Sequence, residues 1–146
     1  MNKGYKELVD YVEEGKWQIF GTLTFRYDVD FRQAEKTLNT FWNIVDRKLF
    51  GNLSHRKNVR TKRICVLQTG KLNNNKHIHF VANTIDDVDV DDFISILKFL
   101  WLNKIKTAGQ HMKIEKVKNL EATSKYLLHE YGKLGTDTLA TTCSNI

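Results

Sequence analysis

The chain is poor in the features that mark a membrane or secreted protein. Across its 146 residues no apolar run approaches the roughly 18 residues that suggest a membrane-spanning helix. The segment Met1-Asn2-Lys3-Gly4-Tyr5-Lys6-Glu7 carries no apolar stretch of signal-peptide type. The expectation is a cytoplasmic protein with no membrane partner. Cysteine is scarce. Cys65 lies in an apolar segment and Cys143 in the tail, neither in a zinc-type spacing, and two cysteines make no disulfide framework. Proline is absent, a trait that accompanies abundant Lys and Asn and carries no further inference. No Gly-rich loop ends in Lys-Ser or Lys-Thr, which excludes a nucleotide-driven motor of that type in this chain. Internal repeats and low-complexity segments are also lacking.

What is present points to one domain, residues 1–134, followed by a weakly ordered Thr- and Ser-rich tail, residues 135–146. The net charge of +6 is compatible with a polyanionic partner.

Periodicity predicts the elements. Tyr5, Leu8, Val9 and Val12 favour a short opening helix over 5–14. Residues 17–27 alternate, with Ile19, Gly21, Leu23 and Phe25 on one face and Thr22, Thr24 and Arg26 on the other, which predicts a half-buried strand. Phe31, Ala34, Leu38, Phe41, Trp42, Val45 and Leu49 recur at helical spacing and predict a helix closed by Gly51. Residues 52–62 form a basic loop. Strands are expected over 63–68 and 77–83, joined by a turn with Gly70, Asn73, Asn74 and Asn75. A helix over 91–104 follows. The acidic residues Asp86, Asp87, Asp89, Asp91 and Asp92 are read as its cap and dipole complement rather than as a metal site. A strand over 111–117 and a helix over 120–134 complete the order β-α-β-β-α-β-α. That order predicts an α+β, ferredoxin-like or RRM-like split βαβ arrangement: a central antiparallel sheet, helices on one face, the other face open, an extra N-terminal helix and a C-terminal helix.

The run Lys76-His77-Ile78-His79-Phe80-Val81 puts two imidazoles on one strand face, with Ile78, Phe80 and Ala82 toward the core. Two neutral imidazoles suit Mn²⁺, whereas Mg²⁺ prefers oxygen ligands. Gln68, at the end of the partner strand, can add an amide oxygen, and Glu130 is an alternative third ligand. Two exposed strand histidines and a hydrogen-bonding glutamine account for the same residues without a metal. On the last helix Leu120, Leu127, Tyr131 and Leu134 share a core face, while Tyr126, His129, Glu130 and Lys133 fall on another. Tyr126 is therefore either a surface tyrosine or a nucleophile.

Three segments in order, Phe20-Gly21-Thr22-Leu23-Thr24-Phe25, His77-Ile78-His79 and Tyr126-Leu127-Leu128-His129-Glu130, resemble the motifs of HUH endonucleases, and within them the Rep-type rolling-circle replication initiators. The third is similar to the Tyr-Leu-Thr-His segment of small plasmid initiators. Gln68 stands where circovirus and geminivirus Rep proteins carry a glutamate ligand, and His129 where they carry lysine.

The resemblance implies a metal-dependent single-stranded DNA nickase and ligase acting at a replication origin hairpin of a plasmid or virus. In it, Tyr126 is the catalytic nucleophile, with His129 and Lys133 as cationic helpers. His77, His79 and Gln68 hold Mn²⁺ or Mg²⁺, and host or viral replication machinery is the protein partner of a chain that is monomeric in isolation. DNA contacts are expected from Thr22, Thr24, Arg26, Lys71 and Lys76 beside the site, and from the loop residues His55, Arg56, Lys57, Arg60 and Lys62. A single-tyrosine transposase or relaxase shares this chemistry. A non-catalytic RRM-like nucleic-acid-binding module is the alternative of another class, and it calls for aromatics on the open sheet face.

Overall fold

The computed structural model describes residues 10, 14, 16–52, 54, 57, 59–69, 76–119 and 122–123. Among the described residues six elements follow one another: β1 (Ile19–Thr24), α1 (Phe31–Phe50), β2 (Arg63–Thr69), β3 (Lys76–Ala82), α2 (Val90–Lys104) and β4 (Lys113–Lys116). The strands form one antiparallel sheet in the order β2-β3-β1-β4. The fold is thus α+β, compatible with a ferredoxin-like split arrangement. The helices expected over 5–14 and 120–134 lie outside the described residues except Asp10, Glu14, Ala122 and Thr123, each helical. The tail over 135–146 lies outside them entirely, as does Cys143. Among the described residues no helix is long and apolar enough to cross a membrane.

Local chemistry fixes the helix ends. Asp30 accepts from the Gln33 N–H at 2.7 Å while the Gln33 side chain reaches back to the Asp30 N–H, a reciprocal capping box that starts α1. Gly51, at φ +58°, ends it, and its N–H donates to the Arg47 carbonyl at 2.8 Å. The acidic run before α2 serves as expected. Asp89 is the N-cap, and Asp91 and Asp92 lie in the first turn against the positive end of the dipole.

The core lies between the sheet and the two helices. Ile19, Leu23, Cys65, Leu67, Ile78, Phe80 and Ile114 from the strands meet Leu38, Trp42, Phe93, Leu97 and Trp101 from the helices. Cys65 is buried, as its apolar surroundings suggest. A chain of edge-to-face rings crosses this layer, from Phe25 through Trp101, Phe41 and Trp42 to Phe80, with centroids 5.2–5.6 Å apart. Such contacts add about 0.5–1.5 kcal/mol each beyond the area they bury. Gly21 faces Phe80 across the β1–β3 pair, and a Cβ there would overlap the Phe80 ring. The absent side chain is what leaves room for that ring against β1.

A buried ion pair pins the basic loop to this layer. Arg63 Nη1 donates to Asp46 Oδ2 at 2.9 Å and to the Thr61 carbonyl at 3.0 Å. Asp46 Oδ1 also accepts from the Thr61 N–H and hydroxyl, both at 2.9 Å. The guanidinium also lies 4.9 Å from the Trp42 ring centroid, so the buried charge is met by a carboxylate, a carbonyl and an aromatic ring.

Three expectations need correction. The strand expected over 17–27 is hydrogen-bonded as a strand only over Ile19–Thr24, because the chain bends after Phe25 and the Arg26 N–H turns to the Thr107 carbonyl. The strand expected over 111–117 shrinks to Lys113–Lys116 at the sheet edge, with Lys113, Glu115 and Lys116 exposed. The face away from the helices is not open over β2 and β3. Ile64, Val66 and Val81 point there and are fully buried, and His79 is 3% exposed. Apolar residues on both faces of a strand require both faces to be covered.

Candidate functional site

The site is built on β3, an interior strand whose backbone is held on both sides. Side chains alternate along it. Lys76, Ile78, Phe80 and Ala82 turn to the helices, and His77, His79 and Val81 turn to the opposite face. Pairing then determines the neighbours. His79 stands between Val66 of β2 and Thr22 of β1, and His77 between Gln68 and Thr24.

His79 is nearly fully buried and both its ring nitrogens are engaged. Nδ1 lies 3.1 Å from the Thr22 hydroxyl, and Nε2 is in close contact with Oε1 of Gln68, which reaches diagonally from its place opposite His77. With an amide oxygen facing Nε2, that nitrogen carries the proton and donates, and Nδ1 accepts from Thr22. Phe20, on the same face of β1, stacks on the imidazole at 6.1 Å and 12°. His77 is half-buried beside this group.

Three ligand-type groups therefore occupy adjoining positions on two hydrogen-bonded strands: the imidazoles of His77 and His79 and the amide oxygen of Gln68. A mixed nitrogen and oxygen set of this kind fits a divalent transition ion such as Mn²⁺, and the contact between Gln68 and His79 marks where two of the three already converge. Among the described residues there is no group of three or more His, Cys, Asp or Glu placed for a metal. The candidate set depends on the glutamine.

The other expected residues are distributed as follows. Thr22 joins the site through His79, whereas the Thr24 hydroxyl donates to the His111 carbonyl. Lys76 is on the helix side of β3, 8% exposed, with its ammonium 4.7 Å from the Phe31 ring centroid. Arg26 lines a hollow with Leu102 and Lys106 at the end of α2. Lys57, Arg60 and Lys62 are exposed, and Lys62 lies 5.1 Å from the Trp17 ring centroid. His55, Arg56, Lys71, Tyr126, His129, Glu130 and Lys133 lie outside the described residues.

Sequence reasoning overlooked one member of the group, Phe20, and gave another, Thr22, a different partner. Phe20 shares the parity of Thr22 and Thr24, so alternation alone puts it on the histidine face. Thr22 was expected to touch DNA, and its contact with Nδ1 follows from the β1–β3 register. Compared with known proteins, the chain matches no family model, no curated protein and no solved structure.

Proposed function

We propose that this chain is the nuclease domain of an HUH endonuclease of the Rep type, which nicks and rejoins single-stranded DNA at an origin hairpin. The observation that carries the reading is the convergence of Gln68 Oε1 on His79 Nε2, beside His77, on the sheet face away from the helices. Further support comes from the strand order β2-β3-β1-β4 with a helix after β1 and after β3, which is that of a ferredoxin-like split βαβ fold.

In this reading His77, His79 and Gln68 would hold Mn²⁺ or Mg²⁺, and an ion there would supply Lewis-acid polarisation of the scissile phosphate. The Tyr126 oxygen attacks phosphorus, the bond from phosphorus to the 3′-oxygen breaks, and that oxygen leaves as a 3′-hydroxyl after taking a proton. The downstream strand stays attached through a 5′-phosphotyrosine. Ionising a phenol of pKa about 10 at pH 7 costs roughly 4 kcal/mol, and His129 or Lys133 lowers that cost by placing positive charge nearby. The phosphodiester energy is kept in the linkage, so the liberated hydroxyl can reverse the cut without a nucleotide. The loop with Lys57, Arg60 and Lys62 supplies phosphate contacts. The protein acts in the cytoplasm of its host as a monomer alongside replication machinery.

A second reading, a non-catalytic RRM-like nucleic-acid-binding module, is favoured by Phe20, an aromatic on the histidine face. One experiment separates the two. The protein is mixed with a 3′-labelled library of single-stranded DNA and Mn²⁺ and run on a denaturing gel. A covalent band that disappears with EDTA and in Tyr126→Phe is expected. Binding without any adduct would establish the module instead.

A further inference from the structure

We propose that the outer groove between α1 and α2 is a docking surface for an acidic, amphipathic segment of a partner protein. The groove, of about 580 Å³, has Ile44, Ile96, Phe99 and Leu100 among its lining residues, with Arg47, Lys48 and Lys104 at its border. Phe99 is 59% exposed and Leu102, one turn on, is 44% exposed. Both are large apolar side chains on the solvent side of a helix whose other side already buries Phe93, Leu97, Leu100 and Trp101. A second hollow adjoins the first through Lys104 and adds Arg26 and Lys106 around Leu102. Among the described residues no carboxylate lines either hollow. An apolar floor with a cationic rim is the complement of a helix that presents Leu or Phe on one stripe and Asp or Glu beside it.

The same observations weigh against other occupants. A second copy related by a two-fold axis would bring Arg47, Lys48 and Lys104 against their own counterparts. Nucleic acid would satisfy the cations but leave the aliphatic floor unfilled. A lipid surface suits a projecting apolar face, and here the floor lies in a recess between two helices. The groove also lies on the opposite layer from His77 and His79, so a partner held there does not contact that face. The inference does not rest on the DNA reading.

The test uses the full chain and a fluorescein-labelled 16-residue peptide with Leu at helical i, i+3, i+4 and i+7 positions and Glu and Asp flanking them, followed by fluorescence anisotropy. Saturable binding is expected, at least tenfold weaker in Phe99→Ala. The double variant Lys48→Glu with Lys104→Glu should lose the acidic peptide and gain one in which Lys replaces the carboxylates, an exchange that loss of structure cannot produce. The proposal is overturned by absent binding, by equal binding of a scrambled peptide, or by variants that bind like the wild type. It is also overturned if sedimentation shows self-association abolished by Phe99→Ala, or if phosphatidylglycerol vesicles bind in a Phe99-dependent way.

Discussion

The hydroxyl of Thr22 stands 3.1 Å from Nδ1 of His79, across the β1–β3 pair. A hydroxyl can donate or accept, so Thr22 satisfies either tautomer of the ring. With Gln68 on Nε2 it donates to Nδ1. With an ion on Nε2 the proton must sit on Nδ1, and Thr22 accepts it. Thr22→Val keeps the shape and removes both options. It is expected to weaken Mn²⁺ binding about 10–100-fold by titration calorimetry, and Thr22→Ser is expected to restore it. Imidazole ¹⁵N shifts should report the Nε2–H tautomer in metal-free protein and its exchange for Nδ1–H on loading with Zn²⁺. Equal Mn²⁺ affinity in Thr22→Val would remove the threonine from this role.

Gln68 is the least conventional of the three groups at the site, and its substitutions separate coordination from hydrogen bonding. Gln68→Glu exchanges an amide oxygen for a charged one and should tighten Mn²⁺ binding. Gln68→Ala should weaken it at least about tenfold, since losing a ligand costs no less than losing a ligand's supporting partner. An alanine variant with wild-type affinity would mean that the ion, where one binds, is held without residue 68.

The buried pair Asp46–Arg63 can be tested without any ligand. Asp46→Ala leaves a guanidinium in the core that retains the Thr61 carbonyl and Trp42 and has lost its carboxylate. The expected loss is about 3–5 kcal/mol in urea unfolding. A loss below about 1 kcal/mol would indicate that Arg63 escapes to solvent by rearranging the loop ahead of β2.

Gly21→Ala inserts a methyl group where the Phe80 ring lies. Overpacking of this kind costs about 1–3 kcal/mol. Combining it with Phe80→Leu should recover part of that cost, the non-additivity expected of residues in contact. Strict additivity in thermal unfolding would show that the clash is relieved elsewhere.

Removing one exposed loop cation should act on the salt dependence of DNA binding rather than on sequence choice. Arg60→Ala is expected to reduce the slope of log K against log salt by about 0.7 for single strands if it neutralises one phosphate. An unchanged slope would leave Arg60 as a solvated surface charge.

Much of the fold could be read directly from residue spacing. The stripe from Phe31 to Leu49, the cap Asp30 with Gln33 and the terminator Gly51 specify α1 through contacts within a few residues of each other. Strand parity likewise put His77 and His79 on one face and Ile78 and Phe80 on the other. The partners of His79 are of a different kind. Thr22 and Gln68 reach it because of the β1–β3 and β2–β3 registers, which are set by the whole sheet and not by neighbours in the chain. The covered face was legible but misread. Ile64-Cys65-Val66-Leu67 is apolar without interruption, and a strand with one side in water would alternate. Lys76 was expected to contact DNA beside the site, yet adjacent residues in a strand point to opposite faces, and the lysine belongs with Phe31.

The four-residue strand β4 has a consequence for how the molecule behaves when crowded. It surrounds the single buried Ile114 with two ammonium groups and a carboxylate. An incoming chain that tried to extend the sheet from that end would find few free backbone groups and would have to crowd its own side chains against those charges. Lateral stacking of copies into fibrils is therefore discouraged at this end by the same brevity that leaves β4 shorter than the 111–117 pattern suggests.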